Sequence, residues 1–386
     1  MLLFLRLAFR NLFRHKLRTG LTALGIVIAI IAFALLRTVV DAWYAGAEAT
    51  SANRLITRNA ISLMFPLPIS YGNRIRQIEG ITGLSYSNWF GGVYIDERNF
   101  FPQFAIEPKT YLELYPEFIL PEAEKSAFIK DRKGVIAGRK LAEKYGWKIG
   151  DVIPLRGTIY SGSWSFVLRG IYRGAEKKTD ETIFFFHWDN LNETLKKTDS
   201  SRAERVGVYI LRIDRAERAA ELSEAVDRLF ENSLAETLTE TEKAFQLGFV
   251  AMTEAIVVAI KIVSFVVIAI IMAVMANTMA MSARERQREY ATLKAVGFGS
   301  RYLLGLIVGE SLALSIISGI LGILAAFPAT DFLAAKFGTL FPVFEVSAQT
   351  IELALLASCL IGLAAAVFPA WRVITFPVSE GLRSIG

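Results

Sequence analysis

The sequence is poor in the residue types from which disulfides, zinc sites and thiol active sites are built. Its 386 residues include one cysteine, Cys359, and two histidines, His15 and His187. Cys359 lies inside an apolar run and has no second thiol to pair with, so no intrachain disulfide can form. One thiol and two histidines far apart in sequence also argue against a structural zinc site. We therefore expect no metal site in this chain.

Nucleotide-binding and catalytic motifs are absent from the sequence as well. No stretch matches Gly-x-x-x-x-Gly-Lys-Ser/Thr, and "GVIAGRK" at Gly134 only imitates the end of such a loop. "GFG" at Gly297 lacks the third glycine and the preceding strand of a dinucleotide fingerprint, and it is better interpreted as a helix stop. There is no His-Glu-x-x-His and no Gly-x-Ser-x-Gly motif, and His187 has no visible partner as a general base. We expect a chain that is not an enzyme by itself and that binds no cofactor.

Apolar residues are abundant: they make up 53% of the sequence, and the mean hydropathy is +0.40. Four runs are long enough to form the helix of about 20 residues that crosses a bilayer. The predicted spans are 19–40, 251–281 (with a stalk at its start), 302–327 and 352–371. A cleaved signal peptide is the alternative for the first run, because small residues follow it in "YAGAEA".

The net charge of +6 comes from basic residues that gather at the edges of the apolar runs. This placement indicates membrane orientation and argues against nucleic-acid binding. Segments 1–18 and 282–301 are rich in Lys and Arg, whereas the loop 328–351 carries few charges. By the positive-inside rule, both termini, including the tail 372–386, are cytoplasmic and the segment 41–250 is extracytoplasmic.

Four arginines of the segment 1–18 recur every four residues and form one helical stripe beside apolar side chains. They are Arg6, Arg10, Arg14 and Arg18. An amphipathic helix in the inner headgroup layer of the lipid bilayer explains this pattern, and a charge cluster that only sets topology explains it equally well.

Strand and helix patterns alternate between the first two spans. "GLSYSNWF", "SFVLRGIY", "TIFFFHW" and "VGVYILRID" are typical of strands, and "AERAAELSEAVDRLFENS" is typical of an amphipathic helix. In "GRKLAEKYGWKIGDVIPL" a helix ends near Gly146 and a strand follows a tight turn at Gly150. The predicted fold class is a membrane protein with four transmembrane α-helices and a large extracytoplasmic α+β domain inserted between the first and second. A second lobe over about 130–200 is one way to divide that domain.

Trp89 and Phe90 are the candidates for a ligand surface on this domain, because "NWFGG" stands at a predicted strand end. Core packing is the alternative, since it accounts for most aromatic residues in strands. The sequence leaves both interpretations open.

Glu310 is the acidic residue predicted to lie deepest in the membrane. It follows Arg301 by nine positions (310 − 301), which is about 14 Å along a helix and close to the middle of a bilayer. A charge there costs about 2.5 to 3.5 kcal/mol, so we expect Glu310 to face the helix bundle, to be protonated, or both. A structural hydrogen bond to Asn277 or Thr278 is one interpretation, and proton transport is the other.

A charged block, "SARERQREYATLKAVGFGSR", separates the second and third spans. Written as a helix, it places Tyr290, Leu293 and Val296 three apart on one face and stops at Gly297. A short amphipathic helix presented by two rigid spans is suited to docking in a groove of another protein. A solvated loop whose arginines only fix topology is the alternative.

Several stretches together resemble the MacB/FtsX-like ABC transporter permeases, also called type VII. "ARERQREYATLKAVGFGSRYLLGLIVGESLAL" is similar to the family's coupling helix and third span, including a glutamate at Glu310. "FPAWRVITFPVSEGLRSIG" is similar to the C-terminal signature, from which Val373 departs. "RNLFRHKLRTGLTALGIVIAI" and "GRKLAEKYGWKIGDVIPL" resemble the N-terminus and part of the external domain, whereas 53–121 hardly matches.

The resemblance implies the separate-subunit form of such a permease, in a bacterial cytoplasmic (inner) membrane. Its implied partners are two ABC ATPase subunits, which bind ATP and Mg, and a second permease copy or a paralogue. A periplasmic adaptor and an outer-membrane channel are left open as further partners. The coupling residues that the resemblance implies are Glu285, Arg286, Glu289, Leu293, Lys294, Val296 and Gly297.

The implied function is mechanotransmission, in which ATP hydrolysis moves the external domain and extrudes a substrate outward. The alternative is an ATPase-driven signalling scaffold that regulates an external hydrolase or sensor. An adaptor and an outer-membrane channel encoded nearby would favour export, whereas a cell-wall hydrolase would favour regulation. A membrane receptor without an ATPase is a third hypothesis.

Overall fold

The computed structural model describes residues 16–48, 50–337 and 343–375. The chain forms two compact units, an inserted domain over Ala42–Thr253 and a helical unit made of the sequence on either side. The predicted N-terminal helix before Lys16 and the tail signature after Thr375 lie outside the described residues.

Twelve α-helices occur among the described residues. In chain order they are α1 (Lys16–Glu48), α2 (Tyr71–Ile75), α3 (Pro108–Leu114), α4 (Glu122–Lys130), α5 (Arg139–Tyr145), α6 (Trp188–Thr198), α7 (Ala219–Leu229), α8 (Glu242–Met252), α9 (Glu254–Glu285), α10 (Gln287–Ala295), α11 (Ser300–Phe337) and α12 (Ala348–Thr375). Four of them, α1, α9, α11 and α12, are long and apolar enough to cross a membrane. The prediction of four candidate transmembrane helices is thereby confirmed.

The third predicted span is too short, because the structure continues α11 through Pro328 to Phe337. A proline removes one backbone N–H and normally disrupts a helix. Membrane helices tolerate it better, because neighbouring groups re-satisfy the freed carbonyl.

All four long helices contribute to one apolar core in the helical unit. Its buried members include Ile30 of α1, Met275 of α9, Leu314 of α11 and Ile361 of α12. Small and hydroxyl residues let α11 and α12 approach closely, and the hydroxyl of Ser311 donates to the carbonyl of Gly362 at 2.7 Å. Close packing of small residues is a common means of association between helices in lipid.

Thirteen strands occur among the described residues, all in the inserted domain. In chain order they are β1 (Arg54–Asn59), β2 (Leu67–Pro68), β3 (Ile81–Trp89), β4 (Gly92–Val93), β5 (Gln103–Ile106), β6 (Phe118–Ile119), β7 (Gly134–Gly138), β8 (Val152–Gly157), β9 (Gly162–Gly174), β10 (Phe184–His187), β11 (Arg205–Val206), β12 (Val208–Ile213) and β13 (Thr237–Thr241). Eleven of them form one mixed sheet in the order β13-β1-β12-β3-β5-β10-β7-β9-β8-β4, with β6 on β9. The predicted α+β class of this domain is confirmed.

The sheet also bears on the suggested second lobe over about 130–200. Strands β7, β8, β9 and β10 lie in that range, yet they belong to the same continuous sheet as β1 and β12. The inserted domain is accordingly one compact unit and not two.

The segment predicted as helix, turn and strand around Gly146 has that structure. Helix α5 ends at Tyr145, Gly146 has the left-handed φ of 66° that stops a helix, and β8 begins at Val152. Buried side chains lie on both faces of the sheet, with Phe184 and Phe186 in one cluster and Phe185 in another. Alternation along β10 explains why three consecutive phenylalanines are all buried.

Candidate functional site

The candidate site is the linker between α9 and α11, at the place where the sequence concentrates its charge. The predicted coupling helix over 282–301 is shorter in the structure. Residues 282–285 continue α9, Arg286 leaves helical geometry with φ −98° and ψ 9°, and α10 covers only nine residues, Gln287–Ala295. We define residues 286–299 as the linker.

The end of α10 is fixed by backbone geometry at Gly297, whose φ is +102°. The N–H of Phe298 donates to the carbonyl of Leu293 at 3.0 Å, and the N–H of Gly297 donates to the carbonyl of Lys294 at 3.1 Å. These two bonds form a Schellman motif, which requires a left-handed residue that glycine supplies at low cost. The predicted helix stop at Gly297 is confirmed.

Arg286 and Glu310 form a buried ion pair in the helical unit. The Nη1 of Arg286 donates to Oε2 of Glu310 at 2.7 Å, and their side chains are only 5% and 7% exposed. Burial alone would lower the pKa of Arg286, but the Glu310 carboxylate and Tyr290 raise it above its ordinary value. The pair fixes the start of α10 to α11.

Glu310 thus lies inside the bundle, but its partner differs from those named from sequence. Thr278 donates its hydroxyl to the carbonyl of Val274 within α9, and Asn277 is exposed. Arg286 lies 24 residues away in sequence and just beyond the end of α9. An arginine that extends from a helix end can meet a carboxylate that lies deeper in the apolar region.

A second ion pair lies next to the first. Arg18, near the start of α1, donates from both terminal nitrogens to the carboxylate of Glu285 at 2.8 and 2.6 Å. This bidentate geometry fixes orientation as well as distance. Consecutive residues therefore bind two other helices: Glu285, the last residue of α9, binds α1, and Arg286, the first residue of the linker, binds α11.

The inner face of α10 packs against the helical unit. Tyr290 and Ala291 are buried, and Leu293 packs beside them on an apolar cluster with α11 and α12. The ammonium group of Lys294 donates to the carbonyl of Val373 at 2.7 Å, in the last turn of α12, where carbonyls lack helical donors. The single face predicted for Tyr290, Leu293 and Val296 is therefore wrong, because the first two residues pack inward.

The outer face of the linker is exposed. Glu289 and Thr292 are solvent-accessible on α10, and Val296 and Phe298 are 73% and 40% exposed at the Schellman turn. The ring of Phe298 contacts that of Tyr302 at 4.8 Å, which holds it at the surface. Phe298 was not among the residues selected from sequence, although it follows the predicted helix stop directly.

The two aromatic candidates on the inserted domain have different environments. Trp89 is 38% exposed and lies 6.1 Å from the ring of Phe100. Phe90 is fully buried among aromatic rings, including Trp164 at 5.3 Å and Phe186 at 5.1 Å. Phe90 is therefore a core residue and cannot line a ligand surface, because it packs inward just beyond the end of β3.

Metal-ligating side chains do not converge in the described residues: no group of three or more His, Cys, Asp or Glu side chains is placed to hold an ion. His187 is buried, and its Nε2 lies 2.7 Å from the carbonyl of Phe128. Burial lowers the pKa of this imidazole, which keeps it neutral at physiological pH. These contacts are those of a core histidine.

Comparisons with known proteins bear on the linker and the helices around it. Residues 261–378 match the family model described as FtsX-like permease C-terminal. The chain is 25% identical over 391 positions to an uncharacterized ABC transporter permease of Methanocaldococcus jannaschii, covering 94% of this chain and 93% of that protein. Among solved structures, it is similar to the extracellular domain of the noncanonic ABC-type transporter YknZ from Gram-positive bacteria, with 12% identity and a TM-score of 0.35. That match covers 49% of this chain and all of the other.

Proposed function

We propose that this chain couples ATP hydrolysis by partner ATPases to motion of its inserted domain, because residues 261–378 match an FtsX-like permease model and the chain is similar along most of its length to an ABC transporter permease. In this proposal two ABC ATPase subunits bind ATP and Mg and dock on the linker at the cytoplasmic side. A second permease copy or a paralogue completes the complex. The inserted domain lies outside the membrane and extrudes a substrate outward.

The observation that carries the proposal is the construction of the linker. Its inner face is held by the Arg286–Glu310 pair, by Tyr290 and by Lys294. Its outer face presents Val296 and Phe298 to solvent. A short helix with an exposed apolar turn can dock in a groove of a partner protein. Because its other face is fixed to the helical unit, a movement of the partner would displace that unit and would not merely deform the linker.

Polar contacts at the end of α9 and in the linker join this region to several of the long helices. Glu285 and Arg286 are consecutive, and they bind Arg18 of α1 and Glu310 of α11, while Lys294 binds α12. A displacement of α10 therefore acts on α11 and α12 through Arg286 and Lys294, and it acts on α1 through Glu285 at the end of α9. This arrangement supports coupling more directly than a solvated loop that only sets topology.

The test is co-purification with any ABC ATPase whose gene neighbours that of this chain. We expect the wild type to retain the ATPase and Val296→Asp/Phe298→Asp to lose it, because charges replace the apolar contact. The matched control is Ile119→Asp/Ile149→Asp, which places the same charges on exposed isoleucines of the inserted domain. Leu293→Asp is unsuitable, because Leu293 packs on the core of the helical unit.

Size-exclusion chromatography must show that both double variants stay folded and monodisperse. Equal ATPase retention by the linker variant and the control would contradict docking at Val296 and Phe298. A wild type that binds no ATPase would contradict the whole proposal and favour the receptor hypothesis.

A further inference from the structure

The inserted domain contains a buried ionic cluster at the place where the chain enters and leaves it. Arg54 is the first residue of β1, which follows α1. Glu242 is the first residue of α8, which leads through Thr253 into α9. Strands β1 and β13 are antiparallel neighbours, and Leu55 pairs with Thr241, so Arg54 and Glu242 lie at the same end of the pair.

All three nitrogens of the Arg54 guanidinium group donate hydrogen bonds. Its Nε donates to Oε2 of Glu242 at 2.7 Å, and its Nη1 and Nη2 donate to the two oxygens of Glu117 at 3.1 and 2.5 Å. Nη1 also donates to the carbonyl of Leu114 at 3.0 Å. A lysine could not satisfy these acceptors in one plane, because its ammonium group is a single point charge.

Glu242 is held from the other side by the inserted domain itself. Its Oε1 accepts the hydroxyl of Tyr115 at 2.8 Å, and the guanidinium carbon of Arg54 lies 4.2 Å from the centre of that ring. The backbone N–H of Ser51 donates to Oε2 at 3.3 Å. Arg54 and Glu242 are each 4% exposed, whereas the side chain of Glu117 is 24% exposed, so the Arg54–Glu242 pair is buried and the cluster reaches solvent only at Glu117.

The cluster connects three parts of the chain that are far apart in sequence. These are the segment that follows α1, the helix that precedes α9, and the segment around Glu117, whose neighbour Tyr115 belongs to an apolar core cluster of the domain. Burial by itself would lower the pKa of Arg54, but the two carboxylates raise it, so the arginine stays charged. We define Arg54, Glu117 and Glu242 as the entry–exit clamp.

We propose that Arg54 and Glu242 are positioning residues that make the segments after α1 and before α9 move as one body with the inserted domain. The inference rests on the proposed function, because it concerns how motion of the helices reaches this domain. Without the clamp, a movement of α9 relative to α1 would separate α8 from β1 locally. With it, the same movement displaces the whole sheet.

The test uses two spin labels on the two connected segments. Cys359 is the one native thiol, so Cys359→Ala gives a background for Ala52→Cys and Lys243→Cys, both at exposed positions. The labelled chain is purified in complex with its ATPase, and label distances are measured by pulsed EPR without nucleotide and with ATP trapped on a hydrolysis-deficient ATPase. We expect one narrow distance distribution that ATP does not change.

Two variants break the clamp conservatively: Glu242→Gln removes one charge, and Arg54→Lys keeps the charge but loses the planar fork. We expect either variant to broaden the distribution and to make it change with ATP. The matched control is Arg58→Lys, because Arg58 forms an ion pair with Glu240 between the same two strands, at 3.0 Å and with partial exposure. The control is expected to behave as wild type.

A clamp that contributed only stability would lower the unfolding temperature of Arg54→Lys without making its label distance depend on ATP, and that result would overturn the inference. A wild-type distance that changes with ATP would overturn it as well. If the proposed function is wrong, the wild-type chain will carry no ATPase at the purification step, before any distance is measured. That result would exclude the positioning role as well.

Discussion

At the scale of single residues, the Arg286–Glu310 pair matters because both of its charges are buried. Removing a guanidinium and a carboxylate from water is costly, and their mutual attraction offsets that cost only while both are present. The pair therefore does more to specify how α10 joins α11 than to raise the stability of the chain. Its loss from one side leaves a buried charge without its partner.

This reasoning predicts the outcome of a double-mutant cycle. Arg286→Met and Glu310→Leu should each lower the free energy of unfolding by about 3–5 kcal/mol, whereas the double variant should recover most of that loss. The measurement is denaturant unfolding of the purified chain in detergent. Glu285→Gln is the control, since the side chains of its pair with Arg18 are 29% and 40% exposed and breaking such a pair costs about 1 kcal/mol or less. Additive losses in the double variant would contradict the buried-pair account.

At the scale of elements, the Schellman turn that ends α10 gives a sharper prediction, because the linker contains two nearby glycines. Neither Gly297 nor Gly299 has an atom within 4 Å of where a Cβ would stand, but only Gly297 has a left-handed φ, of +102°. Gly297→Ala therefore costs backbone strain alone, about 1–2 kcal/mol. Gly299→Ala should be nearly neutral.

Hydrogen exchange of the linker peptide is the suitable measurement, because the strain acts on local opening of the turn. A cost of that size corresponds to exchange about 5–30 times faster in Gly297→Ala, with no such change in Gly299→Ala. Equal exchange in both variants would mean that the turn is not held in the observed conformation.

Sequence patterns predicted those elements whose signal is local. The four long helices follow from apolar length, and the end of α5 follows from Gly146. Strand β7, "GVIAG", was missed because all five of its residues are buried and a short apolar run has no period. Strand β13 was missed because threonines and Glu240 dominate it, although Thr57 and Thr239 meet across the ladder at 2.9 Å.

The site was predictable as a segment but not as a set of contacts. Charge concentration located the linker, yet nothing in the sequence indicates that Arg286 would reach Glu310, or that Arg18 would reach Glu285 across 267 positions. Helical spacing gave Leu293 and Val296 one shared face, but the real helix ends between them. Helical spacing cannot place two residues on one face when the helix, here only nine residues long, ends before the second of them.

At the scale of the whole molecule, the proposal requires the linker and the inserted domain to lie on opposite sides of the membrane. Thr292 on α10 and Lys148 on the inserted domain are both exposed, and single cysteines at these positions can report their sides in the Cys359→Ala background. We expect a membrane-impermeant maleimide to label Lys148→Cys in intact spheroplasts and Thr292→Cys only after permeabilisation. Labelling in the reverse order would place the linker out of reach of any cytoplasmic ATPase.

The register of β1 and β13 determines how the inserted domain responds to tension. Because Leu55 faces Thr241 and Asn59 faces Thr237, the chain leaves both strands for the membrane helices at the same end of the ladder. A pull that separates α1 from α9 would therefore unzip this ladder one rung at a time, which requires far less force than shearing all its hydrogen bonds together. Arg54 and Glu242 lie just outside the Leu55–Thr241 pair, which would be the first to open. Their ion pair therefore has to break before the ladder can begin to separate.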